Sequence, residues 1–395
     1  MKILHVIPFL GCGGAEILTG SITRALINNG HDARIVHFRP QHPSWKNYPD
    51  KDNFIKEVPL KYIKGNVDFR LFRKSEADNH TYGEYIESFK PDIIHSHLYL
   101  AELVSRSYHY PKATYISHGH DNMPQLSRFK GKHILSKNKL TNLWERRWLM
   151  DKYKKTNTSF IAISRDVQDY LQRNISGYKP TILHLPNAIE IQRFANNRNY
   201  RSDLKKGIRL ISIANLVPKK NHIILPDLVK ILLQKGIPVH LEVLGDGPLK
   251  PMLEQRVHTL GLDEHVFFRG SVGDIPDRLS KADLYVHPAL YEPFGLVLLE
   301  AMASGLPVVS MDGFGNRGLI LDGENGFMLP NQASAMEFAE RVLWFIEQPE
   351  AYSRMGENAR KFSESYDMHH YTVKLISFYE ECMARNRNSH KGRVY

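Results

Sequence analysis

The chain is poor in cysteine, with two in 395 residues, Cys12 and Cys382, at opposite ends. That excludes a disulfide scaffold and a four-cysteine zinc site, and it suits a reducing compartment. No run approaches 18 uncharged apolar residues, so no membrane-spanning helix is expected. Low-complexity tracts are absent too, since 26 Gly and 21 Pro are close to average usage. The opening Met1-Lys2-Ile3-Leu4-His5-Val6-Ile7-Pro8 is too short for a signal peptide and is expected to be a buried first strand. What is present is 42% hydrophobic and 24% charged. That balance is typical of a soluble globular protein, and the length suffices for two or three domains.

Acidic charge is scarce in the first half. Residues 1–185 carry 28 basic and 17 acidic side chains, whereas residues 186–395 carry 25 of each. The whole excess of +11 therefore belongs to the first half. It is densest over 121–160, where ten basic residues face Asp121, Glu145 and Asp151. A one-sided basic domain suits nucleic acid, an anionic membrane surface or an anionic substrate. Within it, residues 139–155 read as a helix with Leu140, Leu143, Trp144, Trp148 and Met150 near one stripe, ringed by Lys and Arg. Such a helix is either a membrane-surface element or a surface helix packed on its own domain. No zinc spacing, RNA-binding signature or recognition helix accompanies the charge, which disfavours nucleic acid.

Short β-branched runs alternate with helical patterns. Strands are expected at Lys2–Ile7, 33–38, 92–97, 113–117, 160–163 and 181–185. A second series follows at Ile208–Ile213, Val239–Leu244, 266–269, Leu284–His287 and 307–310. Strands alternating with helices imply a parallel sheet covered on both faces. The pattern restarts after Asn187, so two doubly wound α/β domains are expected. Residues 190–206 are the expected linker, and 335–385 are helical.

Three segments can carry chemistry. Pro8-Phe-Leu-Gly11-Cys-Gly13-Gly14-Ala15-Glu16 places glycines between a strand and a helix, as a tight turn or an anion site. Its spacing fits neither the dinucleotide fingerprint nor a Walker loop. His95 and His97 share a strand face and are same-face core or cleft residues before they are metal ligands. The most specific segment is residues 287–305, where Glu292 precedes a helix that opens near Gly295 and contains Glu300. At 1.5 Å per residue, Glu300 lies roughly 8 Å along the axis from the helix start, about the length of a diphosphate. Amides of Gly295, Leu296 and Val297 suit the phosphates, and a carboxylate on either side suits sugar hydroxyls.

Glu292 and Glu300 form an E-x7-E pair within Glu-Pro-Phe-Gly-Leu-Val-Leu-Leu-Glu-Ala-Met-Ala-Ser-Gly-Leu-Pro-Val-Val. This stretch resembles glycosyltransferase family 4. Gly13-Gly14-Ala15-Glu16, Ser117-His118-Gly119, Phe160-Ile-Ala-Ile-Ser164, Leu185-Pro-Asn-Ala188, Leu244-Gly-Asp-Gly-Pro-Leu249 and Phe268-Arg-Gly270 resemble further segments of that family. The resemblance covers nearly the whole chain. It implies a GT-B fold, two Rossmann-like domains with parallel sheets facing a cleft. The implied domains are an acceptor-side domain at 1–188, a nucleotide-sugar domain at 189–370, and a C-terminal helix at 371–395 packing back on the first.

The resemblance also implies roles. Glu292 would hold donor-sugar hydroxyls, Glu300 the ribose, and the amides after Phe294 the diphosphate, which Gly13 and Gly14 would approach. Lys220 occupies the phosphate-binding lysine position, where a cation suits charge developing on the leaving group. His118 would contact the donor sugar near the reacting carbon. Gly245, Gly270 and Val272 would border the base. Catalytic weight thus falls on His118, Lys220 and Glu292. Such enzymes retain anomeric configuration and use no metal or other cofactor beyond the nucleotide sugar; no Asp-x-Asp motif stands here to hold a divalent cation.

Two departures stand out. Ala214-Asn215-Leu216 replaces the family's Gly-Arg-Leu, removing a phosphate cation that Lys219 would replace. Gly318 stands at a usually acidic position, with Arg317 beside it to face the phosphates. The implied activity is transfer of a hexose, UDP-linked rather than GDP-linked, to a glycan or lipid-linked acceptor of cell-surface polysaccharide, lipopolysaccharide or glycoprotein glycan. The implied place is cytoplasmic, peripheral on the inner face of the plasma membrane. Competing readings are a nucleotide-sugar epimerase of the same architecture, a basic nucleic-acid-binding protein, and a catalytically silent member.

Overall fold

The computed structural model describes residues 1–11, 13–41, 45, 51–58, 79–128, 137–175, 178–196 and 198–391; Cys12 lies outside them. The apolar runs form strands because both faces of each are covered, which favours Val, Ile and Leu. In chain order these are β1 (Lys2–Ile7), β2 (Asp32–His37), β3 (Ile55–Glu57), β4 (Ile93–His97), β5 (Thr114–Gly119), β6 (Ser159–Ala162) and β7 (Ile182–His184). The second series is β8 (Ile208–Ile213), β9 (Val239–Leu244), β10 (Val266–Gly270), β11 (Leu284–His287), β12 (Val308–Met311) and β13 (Gly326–Leu329). Short β3 and β13 were not expected from the sequence; each adds a parallel edge to its sheet.

The chain forms two units, one of Met1–Asn187 with the chain from Met368 onward, the other of Ala188–Asp367. The first holds a seven-stranded sheet in the order β3-β2-β1-β4-β5-β6-β7, the second a six-stranded sheet in the order β10-β9-β8-β11-β12-β13. All pairings between these strands are parallel. The strand order reverses between β1 and β4 and again between β8 and β11. Such reversals open a crevice beyond the carboxyl ends of the strands.

In the second unit Leu210, Leu241, Val243, Val286 and Val309 from the strands pack with Leu228 and Leu232 of the helix Leu225–Gln234 and with Phe338 and Val342 of the helix Ala335–Glu347. In the first unit Leu4, Val6, Val36, Ile94 and Tyr115 pack with Tyr82 and Ile86 of the helix Asn79–Phe89. Strand alternation then sends His5, His95, His97 and His118 to the opposite face. The C-terminal helix Met368–Lys391 covers that face, with Tyr379 Oη 2.6 Å from His95 Nδ1.

Two expectations are corrected. Residues 190–206 belong to the second unit and are pinned to it. Phe194 is buried, and the Arg198 guanidinium donates to the carbonyls of Leu279, Ala282 and Ser304 at 2.6–2.8 Å. The unit boundary at 187/188 falls one residue from the expected 188/189. The helix Lys137–Lys155 buries Glu145, Leu149 and Tyr153 at i, i+4 and i+8, with Met150 beside them. Leu143 and Trp144 point outward, while Trp148 is half-buried beneath Lys152.

Candidate functional site

At the reversal in the second sheet, two loops leave neighbouring strands. After β8 the chain passes Asn215 and makes a tight 3-10 turn at Pro218–Lys220, closed by Asn221 in the left-handed region (φ 54°). After β11 it runs through Glu292 into the helix Leu296–Ala303. Leu290 N donates to Lys219 O at 2.9 Å, tying the loops together. Lys220 Nζ then donates to Glu292 Oε2 at 2.6 Å, and His287 Nε2 lies 2.9 Å from the same oxygen.

Glu292 is buried, which works against its ionisation. The Lys220 ammonium and the His287 hydrogen bond outweigh that burial and hold its pKa at about 2. Burial also lowers the pKa of His287. A neutral imidazole donating from Nε2 to the carboxylate fits both facts. His287 was not assigned a role from sequence, although its place five residues before Glu292 at a strand end was a usable signal.

A third loop sets the backbone of Glu292. Its N–H donates to Gly313 O at 2.9 Å, and Gly315 N donates back to Glu292 O at 3.1 Å. A Cβ on Gly315 would lie 2.0 Å from Pro293 O, so only glycine fits. Buried Asn316 holds the loop's shape, accepting from Gly313 N at 2.9 Å and donating to Ser310 Oγ and Met311 O at 3.0 Å.

Gly295 opens the following helix at φ 103°, and no side chain caps it. Backbone amides at an uncapped helix start, with the dipole behind them, favour an anion. Phe294 is buried against Tyr366, while Leu296 and Val297 are half-buried. About a turn and a half on, half-buried Glu300 has its pKa raised to about 7 by desolvation, with Arg193 opposing.

Gly245 N donates to Gly270 O at 2.8 Å, so the ends of β9 and β10 meet. Gly245 has φ +129°, and a Cβ there would lie 2.0 Å from Ala214 O. Leu216 N donates to Asp246 O at 2.8 Å, stitching the loop after β8 to that after β9. Half-buried Val272 follows β10, and exposed Asn215 follows β8. Lys219 places its ammonium 5.4 Å from the Tyr291 ring centroid. Arg317 pairs with Asp312, with Nη2 2.9 Å from Oδ2. Gly318 has open space where a side chain would project.

The remaining candidates lie in the first unit. Gly13 precedes the helix Gly14–Asn28. A Cβ on Gly13 would sit 2.4 Å from Glu16 Oε2, so the glycine makes room for a buried carboxylate whose pKa desolvation raises. His118 is next to last in β5, buried, its ring stacked 4.1 Å from His120 and 5.1 Å from His95 between centroids. Burial lowers the pKa of His5 and His120 to about 3, and depresses His95, His97 and His118 as well.

The family "Glycosyltransferase Family 4" matches residues 12–193, and "Glycosyl transferases group 1" matches residues 194–362. EpsD of Bacillus subtilis (strain 168), named a glycosyltransferase, is 32% identical over 181 residues, 45% of this chain and 46% of that protein. The Escherichia coli UDP-Gal:alpha-D-GlcNAc-diphosphoundecaprenol alpha-1,3-galactosyltransferase is 27% identical over 194 residues, 46% of this chain and 50% of that one. The match thus spans half or less of either relative. Anabaena Alr3699/HepE, solved with UDP-glucose, superposes with a TM-score of 0.74 at 22% identity, covering 95% of this chain and 99% of its own. That likeness carries the GT-B fold class. Two adjoining matches that together run from 12 to 362, with this fold beneath them, place the chain in glycosyltransferase family 4.

Proposed function

We propose that the chain is a retaining, metal-independent glycosyltransferase that moves a hexose from a UDP-sugar to a glycan or lipid-linked acceptor. The observation that carries this is the ionised Glu292 held by Lys220 and His287 at the mouth of the uncapped helix Leu296–Ala303. The carboxylate would accept from donor-sugar hydroxyls, the first-turn amides and Lys220 would hold the diphosphate, and Glu300 would take the ribose. Asn215, Gly245, Gly270 and Val272 would line the base and phosphate side. The Escherichia coli relative, named for a UDP-sugar donor and a lipid diphosphate acceptor, and the Anabaena protein solved with UDP-glucose favour the same donor and acceptor classes here. The basic first unit and the outward Leu143 and Trp144 favour a peripheral place on the cytoplasmic face of the plasma membrane.

The test is a thermal-shift panel of UDP- and GDP-sugars, followed by sugar transfer to polyprenyl-diphosphate-linked acceptors. UDP-sugars should stabilise the chain, the product should keep the donor's anomeric configuration, and chelator should leave the rate unchanged. Glu292→Ala and Glu300→Ala should each slow transfer by about 100-fold or more. Unchanged turnover in both variants refutes the reading.

A further inference from the structure

The first sheet contains an unusual layer. Where β1, β4 and β5 meet at the strand-order reversal, the face beneath the C-terminal helix carries His5, His95, His97 and His118, with His120 just past β5. All five are buried, from 0% exposed at His5 to 9% at His120. Register explains the assembly: His5 pairs with His95 across β1 and β4, and His97 with His118 across β4 and β5. Apolar side chains would fill this space at lower desolvation cost.

Within the layer, His97, His118 and His120 form one compact set whose ligand nitrogens all lie within 4.8 Å of one another. His97 Nδ1 is 2.8 Å from His120 Nε2. Both ring nitrogens of His118 are buried with no hydrogen-bond partner. On its other side His97 Nε2 meets His5 Nδ1 at 2.9 Å. If His97 donates from Nε2 to His5, its Nδ1 lone pair points toward His118 and His120. An imidazole whose second nitrogen donates to an outer partner is the usual setting of a metal-ligating histidine.

We propose that His97, His118 and His120 bind a borderline divalent cation, with zinc the first candidate, and that His5 orients His97 from the second layer. Three neutral imidazoles suit Zn²⁺, Co²⁺, Ni²⁺ or Cu²⁺ and not Mg²⁺ or Ca²⁺. Metal–nitrogen bonds of about 2.0–2.1 Å in a tetrahedral site put ligand nitrogens roughly 3.3 Å apart. Ring rotations moving the nitrogens by about 1 Å close the set to that spacing. The fourth position is left to water. Binding moves one proton, because His120 gives up its Nε2 hydrogen and carries the neutral tautomer at Nδ1 instead. Uptake of the metal does not depend on the function proposed above.

The experiment uses the full chain without a histidine tag. Zn²⁺ is titrated in competition with a chelating dye, and Co²⁺ is followed by its visible absorption. One Zn²⁺ per chain and the intense Co²⁺ bands of a four-coordinate site are expected. His120→Gln, at the rim of the layer, should lose both while keeping the wild-type circular dichroism. His5→Gln should weaken zinc by about 10–100-fold. No saturable uptake by the wild type, or a His120→Gln chain that binds as the wild type does, overturns the proposal.

Discussion

Lys220 and Glu292, 72 residues apart in the chain, are joined by a 2.6 Å hydrogen-bonded ion pair with both side chains mostly shielded from water. The pair fastens the loop after β8 to the loop after β11. It also engages the lysine that the proposed function assigns to the diphosphate.

That pairing sets a stability expectation. The Glu292 pKa falls from 4.5 to about 2, so its ionisation stabilises the fold fully above about pH 4.5 and ceases to do so as pH falls through 2. Lys220→Met removes the partner and leaves a buried carboxylate with His287 alone. The expected loss is about 3–5 kcal/mol at pH 7, by denaturant unfolding. The loss should shrink as the medium becomes acidic and the carboxyl protonates. Adding Glu292→Gln to Lys220→Met should restore most of it; a double variant no better than the single one contradicts the coupling.

Glu300 behaves in the opposite sense. Its folded pKa is raised from 4.5 to about 7, so the folded protein holds a proton that the unfolded chain releases. Stability should therefore decline as pH rises from 4.5 to 7 on account of this group and level off above. Glu300→Gln should raise the Tm more at pH 8 than at pH 5. Donor affinity in the wild type should meanwhile improve as pH rises through 7, if the ionised carboxylate is the ribose acceptor. Calorimetry at the two pH values checks both.

The glycine loop over Glu292 gives a contrast. Gly315→Ala forces a methyl against Pro293 O, with an expected cost of about 1–3 kcal/mol and weaker donor binding from the shifted Glu292 backbone. Gly318→Glu enters open space and should leave the stability within about 0.5 kcal/mol of wild type. Paired thermal melts and donor titrations separate the two positions. Equal losses at Gly315 and Gly318 would contradict the packing.

The helix Lys137–Lys155 yields a membrane test whose residues the structure had to choose. Leu143 and Trp144 are 45% and 47% exposed, beside exposed Arg147. Arg146 is instead engaged with the carbonyls of Leu126 and Asn174. Flotation with liposomes containing anionic lipid should capture the wild type and lose a Leu143→Ser/Trp144→Ser/Arg147→Ser variant, with about 1 kcal/mol of the loss from the arginine. Equal flotation of both, or of neither, removes the membrane reading.

Most strands were legible because a buried parallel strand needs a continuous apolar run. β13 was not, since Gly-Phe-Met-Leu is four residues long and opens on a glycine. That glycine is needed: a Cβ on Gly326 would lie 2.3 Å from Val308 O, a cross-strand contact invisible in one dimension. The stripe on the helix Lys137–Lys155 was misread for a related reason. Its buried face mixes Glu145 with Leu149 and Tyr153, so hydrophobicity alone did not mark it.

The linear order of residues by itself determined the two α/β halves, the position of the helix after Glu292, and the E-x7-E spacing, because these depend on local periodicity and on neighbours within one or two turns. Only the tertiary structure decided that Lys220 and His287 share one oxygen of Glu292, that Arg317 is taken by Asp312, that Arg198 straps residues 190–206 to the second unit, and that five histidines from three elements form one layer. Those contacts join segments far apart in sequence, and strand register and loop closure, not local preference, bring them within hydrogen-bonding range.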